Sequence, residues 1–439
     1  MLIREGSNAF NRAFRRLNFL TRSWSSITPT QTGVTIHALN DTTFPYVWLR
    51  DSCQSPTCIH ASTRQKLHRT SDIAYDIKPA SLSSSTIRLN GQEELEIEWS
   101  DGHKSVFPRS FLEMHSDRGK LHDYHCDVTE EAWNNHSIQR SELFIPYEEI
   151  RTSTGLLKGI TQLRKFGLLF VNGVPNEKTS NDECELKKLG EMFGEIRPTF
   201  YGLLWDVVNL KTESKNIAYT NLDLGLHMDL LWVVRFVETS VPNIVFCRYF
   251  QHPPRYQILH CLRNRVVGGT SIFVDALAVA EKLRQSHPDY FNVLTTSPVA
   301  FHYINDGHHL HYEHPTIELA PSISSTPTSP TDRRIGHINY SPPFQAPLPL
   351  DTPPEFYPAL REFSQLLNNP MNTYQYTLRE GDAVLFDNRR ALHARTAFRE
   401  REDAENMTKG EANRWLKGCY LEADAIMDRG RVLRKKLGF

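Results

Sequence analysis

The sequence predicts a mainly β fold with flanking helices, a β-sandwich or jelly-roll barrel carrying its helices on the outside. Three observations predict it. Short apolar runs of strand length recur along most of the 439 residues, broken by turns containing Ser, Asn, Pro and Gly. Only a few segments carry a helical period. No Gly-rich phosphate loop stands at a strand end, which disfavours a dinucleotide fold.

The first 30 residues differ from the rest. MLIREGSNAFNRAFRRLNFLTRSWSS carries five arginines against one acid, with Phe10, Phe14, Leu17, Phe19 and Leu20 between them. A basic, amphipathic, Ser-containing start is the pattern of a mitochondrial presequence. The expected location is the mitochondrion, with the cytoplasm as the alternative. Residues 31–125 read as a small β domain, with strands in VTIHAL, TTFPYVWLRD, SSSTIRLN, ELEIEW and HKSVF. The polar, His-rich stretch HSDRGKLHDYHCDVTEEAWNNH reads as a linker.

Residues 140–439 form the larger domain. GLLKGITQLRKFG is a helix feeding the strand LLFVNGV, and SNDECELKKLGEMFG is a second helix. Strands YQILHCL and GTSIFVDA then lead into the helix ALAVAEKLRQSHP. VAFHYI, HHLHYEHPTIEL and IGHINY are further strands, with the patternless loop SISSTPTSPTDRR before the last. In PEFYPALREFSQLLN the residues Phe356, Leu360, Phe363 and Leu367 line one helix face. TYQYTLREGDAVLFDNRRALHAR and RWLKGCYLEA supply the closing strands.

Charge gives no sign of a nucleic-acid partner: the formal net charge is -1. No stretch reaches the roughly 20 apolar residues of a membrane span. Seven irregularly spaced cysteines in a chain this long read as reduced thiols, with Cys53 and Cys58 set apart as candidate ligands.

His227 and Asp229 form an H-x-D step. On a strand both side chains leave one face, offering an imidazole and a carboxylate to Fe(II), Mn(II) or Zn(II). His393, in VLFDNRRALHART, is the best candidate for a third ligand. Two His and one Asp leave coordination positions open, as in non-haem Fe(II) oxygenases. No H-E-x-x-H is present, so the best-known pattern of a zinc hydrolase is missing. Arg414, in NRWLKGCY, suits the distal carboxylate of a 2-oxo dicarboxylate, because a guanidinium grips carboxylates in bidentate fashion. Taken singly, each feature also has an ordinary origin, an incidental His pair or a surface salt bridge.

Taken together, the chain after its first 30 residues resembles the gamma-butyrobetaine and trimethyllysine dioxygenases, members of the taurine-dioxygenase-like Fe(II)/2-oxoglutarate oxygenases. The pieces that carry the resemblance are YVWLRDSC, EWSDGH, YG-x-x-W, NIAYT, H-M-D, PPRYQILHCL, GG-x-S-x-x-VDA, GDAVLFDNRRALHAR and RWLKGCY. The resemblance implies a double-stranded β-helix (jelly-roll) catalytic domain plus a small N-terminal β domain, acting as a homodimer. It implies His227, Asp229 and His393 as iron ligands and Arg414 as the clamp on 2-oxoglutarate, with Asn216 lining the same pocket and ascorbate keeping the iron ferrous. The reaction implied consumes O2 and 2-oxoglutarate, releases succinate and CO2, and hydroxylates the substrate.

The family's zinc pattern, C-x-C-x-x-C with a later His, finds Cys53, Ser55, Cys58 and His103 here. The middle thiolate is missing. A structural Zn(II) takes four ligands, so His60 is expected to complete Cys53, Cys58 and His103; a metal-free domain is the alternative. Four aromatic residues, Tyr201, Trp205, Tyr219 and Tyr420, match the family's box for a trimethylammonium group, which is recognised by cation–π contact. The segment INYSPPFQ (339–346) does not match an Asn that the butyrobetaine enzymes use to hold their substrate. Gamma-butyrobetaine is therefore the first expectation, and trimethyllysine or another trimethylammonium acid the alternative.

Residues 232–248 are a mostly apolar insert where the family has a short connection. Their number keeps the reading frame and fits a small retained intron. A genuine lid or partner-binding loop is the competing reading. The competing classes for the whole chain are a zinc hydrolase and a non-catalytic binder of quaternary ammonium compounds.

Overall fold

Two compact units make up the chain in the computed structural model, Met1–Asp127 and Val128–Phe439. The residues described are 24, 26–126, 128–199, 201–208, 217–229, 233–236, 247–250, 253–305, 307–321, 333–400 and 412–438. Most of the first 30 residues, Asn216, and the loop around residues 322–332 lie outside them. So does residue 232 with 237–246, the middle of the insert.

In the first unit, Gly33–Ile36 pairs with Ile27–Pro29 and Thr42–Pro45, and Glu94–Glu98 pairs with Ile87–Leu89 and Lys104–Pro108. Alternation places Leu95, Ile97 and Phe107 inward, where they meet Val34, Phe44, Tyr46 and Trp99 in one core. The Trp99 indole N–H is satisfied by Ser105 Oγ at 2.8 Å, so its ring is buried without an orphan donor. Two expectations are corrected here. TTFPYVWLRD is half helix: the strand ends at Pro45, and Tyr46–Asp51 turns helical, burying Tyr46 and Leu49 on one side. Proline fits before a first helical turn, where no intrahelical N–H bond is lost. The supposed linker also contains a helix, Arg118–Cys126.

The second unit is layered. Its larger sheet runs in the order Trp205–Val208, Arg414–Leu421, Tyr256–Asn264, Ala383–Asp387, Leu168–Asn172, Phe144–Pro146, with Ile196–Arg197 also on Arg414–Leu421. Its smaller sheet runs Leu224–His227, Ala391–Arg395, Ser271–Asp275, Thr373–Tyr376. Phe170, Val384, Phe386, Leu416 and Tyr420 of the larger sheet pack against Phe273 and Ala391 of the smaller. The opposite face of the larger sheet, with Ile258, Leu385 and Cys419, is covered by Leu163, Leu189 and Ile426 from helices Ser153–Phe166, Glu185–Phe193 and Ala423–Leu437. Val274 and Leu392, on the outer face of the smaller sheet, lie under helices Ala276–Ser286, Pro288–Thr296 and Phe356–Leu367. Each aromatic ring fully buried between the layers contributes roughly 1.5–3 kcal/mol. This is the expected jelly roll with external helices. Phe356, Phe363 and Leu367 are buried as the helical period required.

A buried ion pair fixes the turn that precedes His393. Arg390 donates to both carboxylate oxygens of Asp275, at 3.2 and 2.8 Å, and Asp275 also accepts from the Trp133 N–H. Among the described residues no helix is long and apolar enough to cross a membrane. The insert enters and leaves through an antiparallel ribbon, Val233–Phe236 on Cys247–Phe250, with Val233 opposite Phe250.

Candidate metal and co-substrate site

His227 and His393 are placed opposite each other across neighbouring strands of the smaller sheet. Their ring centroids are 4.2 Å apart. His227 Nε2 stands 3.4 Å from Asp229 Oδ1, and His393 Nε2 stands 3.9 Å from Asp229 Oδ2. One donor atom from each of the three lies within 4.8 Å of the others.

Protonation suits metal binding. His227 Nδ1 lies 2.8 Å from the Gly225 carbonyl, a contact that needs the proton on Nδ1 and frees the Nε2 lone pair. Burial, reinforced by the neighbouring His227, pushes His393 down to about 3, so it is neutral at physiological pH. Burial would raise the Asp229 carboxyl, but His227 and His393 outweigh it and hold the group well below the usual carboxylate range. Two imidazoles and a carboxylate are the donor set an open Fe(II) site uses.

The expected strand alternation does not place Asp229. The strand ends at His227, so Asp229 is not held by regular strand alternation. Asn388, in the turn before His393, holds it instead. The Asn388 side chain accepts from the Asp229 N–H and donates to the Asp229 carbonyl, both at 2.9 Å.

Arg414 opens the strand Arg414–Leu421 and is 5 % exposed. Among the described residues its Nε has no hydrogen-bond partner, and its guanidinium lies over the Phe398 ring, 5.2 Å from the centroid. Burial and the nearby Arg395 pull it down to about 10. A buried guanidinium with an orphaned donor is costly unless an anion meets it. A dicarboxylate would do so.

Tyr201, Trp205, Tyr219 and Tyr420 gather in one aromatic cluster. Trp205 lies 5.3 Å from Tyr420 and 6.4 Å from Tyr201 by ring centroid. Tyr219 sits close enough to Asp229 that burial, then the carboxylate's charge, push its phenol up to about 12. Gly418, opposite Trp205 in register, admits the indole: a Cβ there would lie 2.4 Å from Trp205 Cη2. The sequence reading missed Arg395, whose guanidinium donates to the carbonyls of Ala218, Thr220 and Leu222 at 2.7–3.0 Å. It ties down the turn bearing Tyr219 from the same strand that carries His393. In the doubtful segment, the Asn339 side-chain N–H2 group donates to the Pro315 carbonyl and Glu318, so its amide is engaged within the fold.

In the first unit, Cys53, Cys58 and His103 converge. His103 Nε2 is 3.2 Å from Cys53 Sγ and 3.5 Å from Cys58 Sγ. His60 does not join them: it is exposed, and its Nδ1 accepts from the Thr63 N–H. The short loop Cys58–Gln65 turns on its own bonds and aims His60 elsewhere, so the expected fourth ligand is not brought to the group.

Residues 247–420 match the family described as taurine catabolism dioxygenase TauD, TfdA family, and residues 30–113 match the gamma-butyrobetaine hydroxylase-like N-terminal family. Dioxygenase str8 of Strobilurus tenacellus is 51% identical over 396 residues, covering 89% of this chain and 85% of that protein. Gamma-butyrobetaine dioxygenase of Pseudomonas sp. (strain AK-1) is 30% identical over 399 residues, 89% and 91% of the two chains. Mitochondrial trimethyllysine dioxygenase of Homo sapiens is 28% identical over 394 residues, 89% and 82%. Among solved structures, a taurine dioxygenase from Burkholderia xenovorans matches with a TM-score of 0.38 and 19% identity, over 61% of this chain and 79% of that one. With relatives at this identity spanning most of both chains, the protein belongs to the gamma-butyrobetaine and trimethyllysine dioxygenase family, and it is an Fe(II)/2-oxoglutarate-dependent dioxygenase.

Proposed function

We propose that the enzyme hydroxylates a small trimethylammonium carboxylic acid, gamma-butyrobetaine to carnitine before any other, at an iron held by His227, Asp229 and His393. The observation that carries the substrate class is the grouping of Tyr201, Trp205, Tyr219 and Tyr420 beside Asp229. A quaternary ammonium has no N–H to donate, so a wall of aromatic faces is what selects it. Trimethyllysine is the second reading, favoured by the basic, amphipathic first 30 residues and their mitochondrial pattern. The 51% identical relative is named only as a dioxygenase, so its name favours neither.

Iron(II) with bound 2-oxoglutarate would supply the oxidising chemistry, splitting the keto acid to succinate and CO2 while O2 provides the hydroxyl oxygen. The chain's residues supply position. His227 and His393 offer Nε2 lone pairs and Asp229 a carboxylate kept ionised across the physiological range. Arg414 receives the far carboxylate of the co-substrate in a dry site, where a charge-assisted pair is stronger than in water. The aromatic walls fix the cationic head, which sets which carbon of the chain lies at the metal.

The same proposal includes Zn(II) at Cys53, Cys58 and His103 with one position left to a non-protein ligand, and ascorbate keeping the iron ferrous. The expected homodimer and mitochondrial destination belong to it as well. The deciding experiment supplies purified protein with Fe(II), 2-oxoglutarate, O2 and either gamma-butyrobetaine or trimethyllysine, and follows succinate and hydroxylated product. Turnover of trimethyllysine alone overturns the first choice. Failure of both, with succinate released by another acid, overturns the substrate class.

A further inference from the structure

Asp229 needs anchors that its strand does not provide. Its peptide is clamped by Asn388, which is fully buried and also donates to the Pro254 carbonyl at 3.2 Å. Its carboxylate has two further donors on one oxygen. Gln257 Nε2 donates to Oδ2 at 2.8 Å, and the Tyr420 hydroxyl donates to the same atom at 3.1 Å. Gln257 and Tyr420 are direct cross-strand partners in the larger sheet, so a single register brings both side chains to one point. They are 1 % and 2 % exposed, so both donors act from within the fold. Oδ1 faces His227 Nε2 at 3.4 Å, and Oδ2 lies 3.9 Å from His393 Nε2.

We propose that Gln257 and Tyr420 are positioning residues for the metal-binding carboxylate: their two donors on Oδ2 fix its rotation between the two histidines. The proposal rests on the assignment of iron to His227, Asp229 and His393. A lone aspartate past a strand end can rotate about two side-chain torsions and offer either oxygen. Two donors from a rigid sheet remove that freedom before metal arrives. Tyr420 thereby has two separable parts, a ring that walls the aromatic cluster and a hydroxyl that holds an iron ligand.

The test is anaerobic titration of the full chain with Fe(II) in the presence of 2-oxoglutarate, followed by the metal-to-keto-acid charge-transfer absorption. Melting of each metal-free chain is measured alongside. Tyr420→Phe keeps the ring and loses the hydroxyl; Gln257→Leu loses the amide at similar volume. Each is expected to weaken Fe(II) binding about 10- to 100-fold, the usual effect of losing an outer partner of a ligand, and to shift the absorption band. Neither should lower the metal-free melting point to match, because the cost falls on the bound state. Fe(II) affinity within twofold of wild type in both variants overturns the proposal, as does a loss of affinity that only tracks lost stability. His227→Ala and His393→Ala separate the two levels. If these leave the absorption intact, the iron assignment fails; if they abolish it while Tyr420→Phe and Gln257→Leu do not alter it, only the positioning role fails.

Discussion

Gly418→Ala tests whether the aromatic cluster is a built receptor or loose packing. The added Cβ would lie 2.4 Å from both Cη2 and Cζ2 of Trp205 and 2.8 Å from Cε2. Carbon atoms rest at about 3.5–4.0 Å, so the benzo edge of the indole must retreat by roughly 1.2 Å. It has little room, because Trp205 is 9 % exposed and stands against Tyr420 at 5.3 Å. Overpacking of this kind costs about 1–3 kcal/mol. Part of that appears as a lower melting point, and part as a displaced wall. A cation–π contact contributes about 0.5–2 kcal/mol, so weakening one wall should raise KM for the trimethylammonium substrate by about 2- to 10-fold. Binding of 2-oxoglutarate to the apo-enzyme with Fe(II) should not change. The double variant Gly418→Ala/Trp205→Phe removes the clashing benzo atoms. Its unfolding free energy should stand above the sum of the two single effects by about 1 kcal/mol or more, since contacting residues couple. Additive melting shifts, or an unchanged KM in Gly418→Ala, would refute the reasoning, because the glycine would then not be admitting the indole.

Three further outcomes are expected. Arg414→Met should raise the apparent Kd for 2-oxoglutarate by about 10- to 100-fold, the loss of a charge-assisted pair worth roughly 1.5–3 kcal/mol, while raising the melting point of the co-substrate-free chain, because an uncompensated buried charge is gone; a lower melting point without co-substrate would contradict the orphaned state of its Nε. Burial pushes His260 down to about 4, against about 6.5 in an unfolded chain. A depressed histidine leaves stability unaffected above about pH 6.5 and erodes it as pH falls toward 4, by roughly 3 kcal/mol in all. His260→Phe should therefore flatten the acid limb of a denaturant-unfolding series, and an unaltered limb would place the acid sensitivity elsewhere. A chain lacking residues 232–248 should still give the Fe(II)/2-oxoglutarate absorption, because the ribbon at the base of the insert closes on itself; separately, a transcript encoding all seventeen residues would end the retained-intron reading.

What the sequence disclosed, and what it hid, divides by the distance over which each residue acts. Strand and helix positions in the larger unit followed from periodicity, a local property. His227, His393 and Arg414 stood in motifs dense enough to identify without a fold. Tyr46–Asp51 was misread because Tyr, Val, Trp and Leu in succession have strand propensity; Pro45 before them was the local signal that could have reversed it. His60 failed for a different reason. Spacing counted it near Cys58, yet a two-residue offset says nothing of where a turn aims a side chain. Asn388 and Gln257 carried no local signal, since a polar residue on a strand or turn reads as ordinary until its partner is known. Asn388 acts on a peptide 159 positions away in the chain, and Tyr420 on a carboxylate 191 away.

Those two long-range contacts explain how Asp229 is placed beside His227 without a regular strand beneath it. His227 and His393 come from the smaller sheet, Arg414, Tyr420 and Gln257 from the larger one, and Asn388 from the turn that joins Ala383–Asp387 of the larger to Ala391–Arg395 of the smaller. Asp229 is the residue on which both sheets act: its peptide hangs on the joining turn, and its carboxylate lies between the Nε2 of two histidines and the donors of the larger sheet. A shift of one sheet against the other would therefore change the carboxylate before it changed the imidazoles. The Asp275–Arg390 ion pair, fixing that turn from within the core, resists such a shift. Asp275→Asn should therefore loosen Fe(II) binding, read by the Fe(II)/2-oxoglutarate absorption, at the site proposed for His227, Asp229 and His393.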